Sequence, residues 1–185
     1  MAYSVQYATA SGRTNFRFLL REEGDRWQAY VLEGPSFSET VLHRDEVPPG
    51  CDRIAGSFRI RWFGMTHVTS LEQAQVLAAG WAEDTETFLG TGKWRVQYQT
   101  NDGQDKFTFS VERSGRSFRI YIDAQPSYRN RATDAHSTHR YSDGPRHYIC
   151  WDGELNSWAE AEDIATAWAE RTQGYIRTGR FENTH

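Results

Sequence analysis

The pattern of hydrophobic and polar positions occurs twice along the chain. Val5-Gln6-Tyr7 recurs 91 residues later as Val96-Gln97-Tyr98, and Phe16-x-Phe18 recurs at the same separation. The separation falls to 89 and then to 87, and each change lies between predicted elements, where insertions are tolerated. The pattern therefore indicates a tandem duplication, with copies at 1–92 and 93–185. Other identical pairs are Gly12/Gly103, Gly24/Gly115, Tyr30/Tyr121, Ile60/Ile149, Trp62/Trp151, Ser70/Ser157, Trp81/Trp168, Glu83/Glu170 and Gly92/Gly179.

Each copy is predicted to contain four strands followed by one helix. Alternating apolar and polar residues indicate the strands, and Gly-containing turns join the second strand to the third. The fold class is therefore α+β: a tandem duplication of a ββββα unit, with two antiparallel sheets, one helix on each, and a pseudo-two-fold arrangement. The predicted strands are 4–8, 16–20, 27–32 and 58–63 in the first copy and 95–99, 107–111, 118–123 and 147–151 in the second, with long loops at 34–56 and 124–146.

Both helix starts are clear in the sequence. A Ser followed three residues later by Gln or Glu fits the capping box, which predicts helices at 70–89 and 157–176. An apolar stripe then follows the helical period. A Trp lies in the middle of each stripe, and we predict that these residues, Trp81 and Trp168, are buried against the sheets.

Period-two alternation divides each predicted sheet into two faces. The apolar face is predicted to form the core under the helix. It contains Val5, Tyr7, Phe16, Phe18, Leu20, Trp27, Ala29, Val31, Phe58, Ile60 and Trp62, with Val96, Tyr98, Phe107, Phe109, Val111, Phe118, Ile120, Ile122, Ile149 and Trp151 in the second copy.

The opposite face mixes Arg, Gln and flat aromatic residues. Such a surface can bind a single strand, because aromatic rings stack on bases for about 1–3 kcal/mol each and Arg contacts phosphates. An ordinary solvated sheet face accounts for the same pattern, and both interpretations stay open. The face includes Arg17, Tyr30, Arg59 and Arg61 in the first copy and Arg119, Tyr121 and Tyr148 in the second.

Two tandem units of four strands and a helix, with a Gly-Arg-x-Phe turn at Gly115-Arg116-Ser117-Phe118, resemble the PUR-repeat and Whirly-type architecture. The resemblance is topological and covers almost the whole chain. It implies a pseudo-dimer whose sheets bind single-stranded DNA or RNA. The residues it implies in binding are Arg17, Tyr30, Arg59, Arg61, Arg119 and Tyr121.

Charge is distributed unevenly. The chain has a net charge of −4, yet the two predicted helices are acidic and the rest of the chain is basic, with Arg far outnumbering Lys. Helices commonly favour Glu and exposed strands tolerate Arg, so this distribution does not by itself decide the partner. A second function class therefore remains: a protein-interaction module, such as an inhibitor or adaptor, that docks through its long loops or its acidic helices.

Residues suited to other chemistry are few. His147 and Cys150 have a spacing that suggests zinc, but three residues apart on a strand they point to opposite faces. Gly90-Thr-Gly-Lys93 follows a helix, unlike a phosphate loop. We expect no catalytic residues, no metal, no cofactor and no membrane segment, and two unmatched cysteines favour a cytoplasmic protein. An oligomer is left open.

Overall fold

A computed structural model of the chain describes residues 1–36, 46–61 and 68–181. The chain divides into two compact units, Met1–Trp94 and Arg95–His185. The boundary lies two residues beyond the one expected from the repeat. Each unit contains an antiparallel sheet and a long helix that follows it in the sequence, so the α+β class and the duplicated layout are confirmed.

The first unit contains a five-stranded sheet with the order β1-β2-β3-β5-β4. All its described strand pairs are antiparallel, and α1 follows the last strand. A bulge between Arg17 and Phe18 shifts the pairing of β2 with β3. The elements are β1 (Ala2–Ala8), β2 (Asn15–Glu23), β3 (Arg26–Glu33), β4 (Cys51–Ile54), β5 (Ser57–Ile60) and α1 (Leu71–Thr91).

The second unit has the same arrangement, with the order β6-β7-β8-β10-β9. A bulge between Thr108 and Phe109 lies at the position equivalent to that in the first sheet. One short helix, α2, precedes β9. The elements are β6 (Lys93–Gln99), whose first two residues lie before the unit boundary, β7 (Lys106–Ser114), β8 (Ser117–Ala124), α2 (Ala135–Thr138), β9 (Arg140–Asp143), β10 (Arg146–Ile149) and α3 (Trp158–Thr178).

The fifth strand of each sheet was not expected. The segments predicted as long loops contain β4 and β9, which occupy the sheet edges. Each has only four residues and lacks a clear alternation of apolar and polar positions, so the usual strand signal is weak. They are nevertheless equivalent elements, because both pair with the strand that follows them through a tight turn.

Both long helices begin at the predicted capping residues. Ser70 accepts a hydrogen bond from the backbone N–H of Gln73, and Ser157 accepts one from Glu160. The return bond differs from the simple capping box, because the Gln73 and Glu160 side chains accept from the residue before the cap. Left-handed glycines end the helices, at Gly92 and Gly179.

The two predicted tryptophan anchors occupy equivalent core positions, which confirms that prediction. Trp81 is 7% exposed and Trp168 is 3% exposed. Each indole packs edge-on against two phenylalanine rings of its own sheet, at centroid distances of 5.6–6.2 Å. Each indole N–H also donates to a backbone carbonyl, of Pro49 at 3.0 Å and of Thr138 at 3.1 Å. Each Trp therefore connects its long helix to the sheet and to the segment that precedes the edge strand.

The predicted core faces are only partly correct. In the second unit Val96 and Tyr98 of β6 are buried, whereas their counterparts Val5 and Tyr7 in β1 are half-buried. Trp151 was assigned to the core but is 45% exposed. The reason is that β10 ends at Ile149, so strand alternation no longer determines the direction of the next side chains. Trp62 lies outside the described residues. None of the described helices is long and apolar enough to cross a membrane.

Candidate nucleic-acid interface

The face of each sheet opposite its long helix, here called the outer face, contains the predicted binding residues. In the first unit, Leu19 pairs with Tyr30, and Tyr30 pairs with Arg59 across β3 and β5. These neighbouring positions lie on one face because directly opposite residues of an antiparallel pair point the same way. The structure therefore brings Tyr30 and Arg59 together. Arg17 lies on the same face, towards the bulge of β2.

The cations of the first outer face are paired with acids. Arg17 forms an ion pair with Glu33. Arg59 contacts Asp52 at 2.9 Å, and Arg61 lies 3.7 Å from the other oxygen of the same carboxylate. The Arg61 side chain is only 18% exposed. Because each of these cations already has an anionic neighbour, the face has little excess positive charge to offer a phosphate backbone.

Tyr30 is also engaged by an acid. Its hydroxyl donates to the Glu23 carboxylate at 2.8 Å. Partial burial, together with this hydrogen bond, raises the pKa of Tyr30 above its usual value. The ring is half-buried between its strand neighbours. Tyr30 is therefore only partly accessible to a ligand.

Three tyrosines form a row across the outer face of the second unit. Tyr121 pairs with Tyr148, and Tyr148 pairs with Tyr141, on the adjacent strands β8, β10 and β9. The ring centroids are 6.1 Å and 5.7 Å apart. Exposure increases towards the sheet edge, from buried Tyr121 through half-buried Tyr148 to Tyr141, which is 48% exposed. We call these three residues the tyrosine row.

Two arginines hold the tyrosine row in place. The Arg119 guanidinium lies 4.6 Å from the Tyr148 ring centroid, and that of Arg146 lies 3.5 Å from Tyr121. Asp143 accepts hydrogen bonds from Arg119 at 3.0 Å and from Tyr121 at 2.8 Å. A hydrogen bond with the Tyr121 hydroxyl raises the pKa of Arg119. The rings of the two neighbouring pairs are inclined at 64° and 48°, and the contacts with the two arginines preorganise this surface.

The expectation that Tyr121 is an exposed stacking residue is wrong. Tyr121 is only 7% exposed, because the Arg146 guanidinium covers its ring. Arg146 is itself held at 2.8 Å by Glu112 of β7, the strand on the other side of β8. Tyr121 is therefore the buried member of the tyrosine row, and it packs against Tyr148. Arg119 and Tyr148, which were also predicted, are half-buried and remain accessible.

The most exposed aromatic residues of this surface were not predicted as binding residues. Tyr141 lies in a segment predicted as a loop, and Trp151 was assigned to the core through its equivalence with Trp62. The side chains are 48% and 45% exposed. Trp151 lies three residues after Tyr148 in the sequence, and Tyr141 lies opposite Tyr148 on the adjacent strand. The second relation could be predicted only by recognising the edge strand β9.

The two outer faces differ at equivalent positions. At a separation of 89 residues, Tyr141 and Tyr148 correspond to Asp52 and Arg59, and both pairs are directly opposite each other on the two edge strands. The second unit thus has an aromatic pair where the first has an ion pair. The aromatic surface is therefore a property of the second unit, since the backbone scaffold is the same.

The histidine and cysteine residues that the structure describes do not form a metal-binding cluster. Within 1–36, 46–61 and 68–181 there is no group of three or more His, Cys, Asp or Glu side chains placed to hold a metal ion. His139 stacks on Phe181 at 4.5 Å, and His147 lies within hydrogen-bonding distance of Ser142. Neither of the two described cysteines, Cys51 and Cys150, is in a disulfide.

Comparison of the chain with protein-family models, with curated protein sequences and with solved structures gives no match.

Proposed function

We propose that this chain is a non-enzymatic protein that binds single-stranded DNA or RNA through its outer sheet faces, with the second unit providing the stacking surface. The observation that supports this most is the tyrosine row, which ends in exposed Tyr141 at the sheet edge. Exposed aromatic rings held in a fixed orientation are suited to stacking on bases, because every base has a flat face. Two cysteines that form no disulfide fit a reducing, cytoplasmic location.

The ion pairs on the outer faces determine what kind of binding to expect. A phosphate that approaches Arg119 or Arg59 has to compete with Asp143 or Asp52. Each exchange replaces one anion by another, so charge contributes little net free energy. Binding is therefore expected to depend mainly on stacking, with a shallow dependence on salt for a single-strand binder, since each released counterion contributes about 0.7 to the logarithmic slope.

Fluorescence anisotropy with labelled single-stranded oligonucleotides at several salt concentrations tests this function. Tyr148→Ala should weaken binding without changing the salt slope, whereas Arg119→Gln should lower the already shallow slope by no more than about 0.7. Tyr3→Ala is the matched control, because Tyr3 is an exposed tyrosine, 41% exposed, on a different sheet. If the unmodified chain binds no single-stranded DNA or RNA at low salt, the proposed function is wrong.

A protein-interaction module is the second candidate, and one observation favours it. An apolar groove of about 280 Å³ lies between β1, β2 and the acidic helix α1, with Val5, Tyr7 and Val76 among its lining residues. Val76 is 65% exposed, whereas the other apolar side chains of α1 are buried or half-buried. A stoichiometric complex with a protein that survives nuclease treatment, and that Val76→Glu disrupts, would favour this function over the first.

A further inference from the structure

The strands β8 and β10 pair over only a short length, and a cleft lies where their pairing stops. Only two residue pairs connect them, Ile122 with His147 and Tyr121 with Tyr148. Beyond Ile149 the chain leaves the sheet. It returns at Leu155, whose backbone N–H donates to the Ser117 hydroxyl at 2.9 Å, at the start of β8. The gap is thus bounded by the pair of Tyr121 with Tyr148 at one end and by the contact of Leu155 with Ser117 at the other.

The walls of this cleft contain two kinds of side chain. Tyr141, Tyr148 and Trp151 are aromatic, and Arg119 carries a charge. The others include buried apolar side chains, among them Phe118, which packs against Trp158 at 4.6 Å. Polar and apolar surface therefore meet in one concave site, which is typical of ligand sites.

The size of the cleft limits what can enter it. Its volume is about 230 Å³. Sites for drug-sized molecules have about 300–1,000 Å³, so this cleft accommodates a single ring system. The aromatic walls favour a flat ring over an aliphatic group of the same size, because flat rings gain stacking contacts.

We propose that the cleft binds one nucleobase, turned out of the bound single strand and placed between Trp151 and the edge tyrosines. This inference rests on the proposed function and identifies the part of the ligand that the site recognises. The hydrogen bonds of Arg119 to Asp143 and Tyr121 all leave from one terminal nitrogen, Nη1. Its Nε–H and second terminal nitrogen have no protein acceptor within the described ranges, and they can donate to carbonyl or ring-nitrogen acceptors of the base.

A scan with single abasic sites tests the cleft. The probe is the shortest labelled oligonucleotide that retains full affinity, so that the strand cannot slide to another register. One base at a time is removed, and affinity is measured by anisotropy with the full chain. We expect one position at which the loss of the base weakens binding about 5- to 150-fold, the range for one stacked base. The other positions should have smaller effects.

Variants connect that position to the cleft. Trp151→Ala should weaken binding by a similar factor and should abolish the sensitivity to the abasic position, since the same contact cannot be lost twice. Trp151→Phe keeps a flat ring and should retain the sensitivity, and Tyr3→Ala is the control for an exposed aromatic elsewhere. Circular dichroism verifies that each variant is folded.

The outcomes separate the two proposals. Oligonucleotide binding with a uniform, small response to every abasic site, or with unchanged sensitivity in Trp151→Ala, overturns the cleft and leaves the binding face intact. If Trp151→Ala does not fold, the abasic scan on the unmodified chain and on Trp151→Phe still tests whether the cleft binds one base. Absence of any binding by the unmodified chain overturns both.

Discussion

Gly50 lies where an added methyl group has no room, and we expect Gly50→Ala to be strongly destabilising. The residue has a φ of +69° and is buried immediately before β4. A Cβ atom there would lie 2.7 Å from Cζ2 of Trp94 and 2.9 Å from Nε1 of Trp81. Both distances are shorter than a carbon atom can approach without displacing its neighbour.

The local hydrogen bonds prevent Gly50 from moving away. Its carbonyl accepts from the Arg61 N–H at 2.8 Å, and the preceding carbonyl, of Pro49, accepts from the Trp81 indole. A left-handed conformation costs a non-glycine residue about 1–2 kcal/mol. Overpacking of a rigid core costs about 1–3 kcal/mol more. The expected loss in the free energy of unfolding is therefore about 2–5 kcal/mol.

Gly56→Ala separates these two contributions. Gly56 has a φ of +83°, but a Cβ atom added there would have no heavy atom within 4 Å, so only the conformational cost of about 1–2 kcal/mol applies. Urea denaturation followed by circular dichroism measures both variants against the unmodified chain. Equal losses for Gly50→Ala and Gly56→Ala would refute the packing argument, because the indole contacts distinguish the two positions.

Two further predictions concern stability. Trp81→Ala and Trp168→Ala should each lower the free energy of unfolding by about 3–5 kcal/mol in urea denaturation, since both indoles are buried and hydrogen-bonded; an unchanged midpoint for either would contradict this. Hydrogen bonds from Gln173, then from the Gln104 backbone and from Arg177, lower the pKa of Asp102. Asp102 therefore stabilises the fold above the unfolded pKa of about 3.9, and this contribution is lost as the pH falls through the folded value. Asp102→Asn should flatten the decline of the thermal midpoint below about pH 4, and a decline identical to that of the unmodified chain would contradict it.

Much of the fold was predictable because its signals are local. The capping residues Ser70 and Ser157 and the stripes around Trp81 and Trp168 depend on spacings within one helix. The alternation of Phe16 and Phe18 likewise depends on one strand. Such patterns report directly on the periods of helix and strand, and the duplication provided each of them twice.

The parts that could not be predicted depend on strand register. Arg146 covers Tyr121 only because β10 lies next to β8, and the sequence separation of these residues gives no indication of it. The ion pairs of Arg59 with Asp52 and of Arg119 with Asp143 also connect different strands. The alternation pattern indicates a cationic face. The strand register shows that carboxylates on neighbouring strands neutralise most of this charge. This is why the proposed binding surface moves from the arginines to Tyr141 and Trp151.

An exchange of residues between the two units tests whether the aromatic surface serves binding or folding. Asp52 and Arg59 form a cross-strand pair at the positions that Tyr141 and Tyr148 occupy in the second unit. Cross-strand ion pairs and aromatic pairs contribute similar free energies, about 0.2–1 kcal/mol, and the lost ring contact with Tyr121 adds about 0.5–1.5 kcal/mol. Loss of the Arg119 contact with the Tyr148 ring adds about 0.5–1 kcal/mol, so Tyr141→Asp combined with Tyr148→Arg should lower the free energy of unfolding by at most about 3.5 kcal/mol.

Binding should respond quite differently to the same exchange. The double variant keeps the net charge of the face, because one acid and one base are added together, so a purely electrostatic interface would bind as before. Stacking on two rings is lost, which at about 1–3 kcal/mol per base predicts a large fall in oligonucleotide affinity with an unchanged salt slope. Anisotropy titrations measure both quantities. If affinity persists in a folded double variant, the tyrosines of the second unit are structural, and the ligand of this chain binds elsewhere.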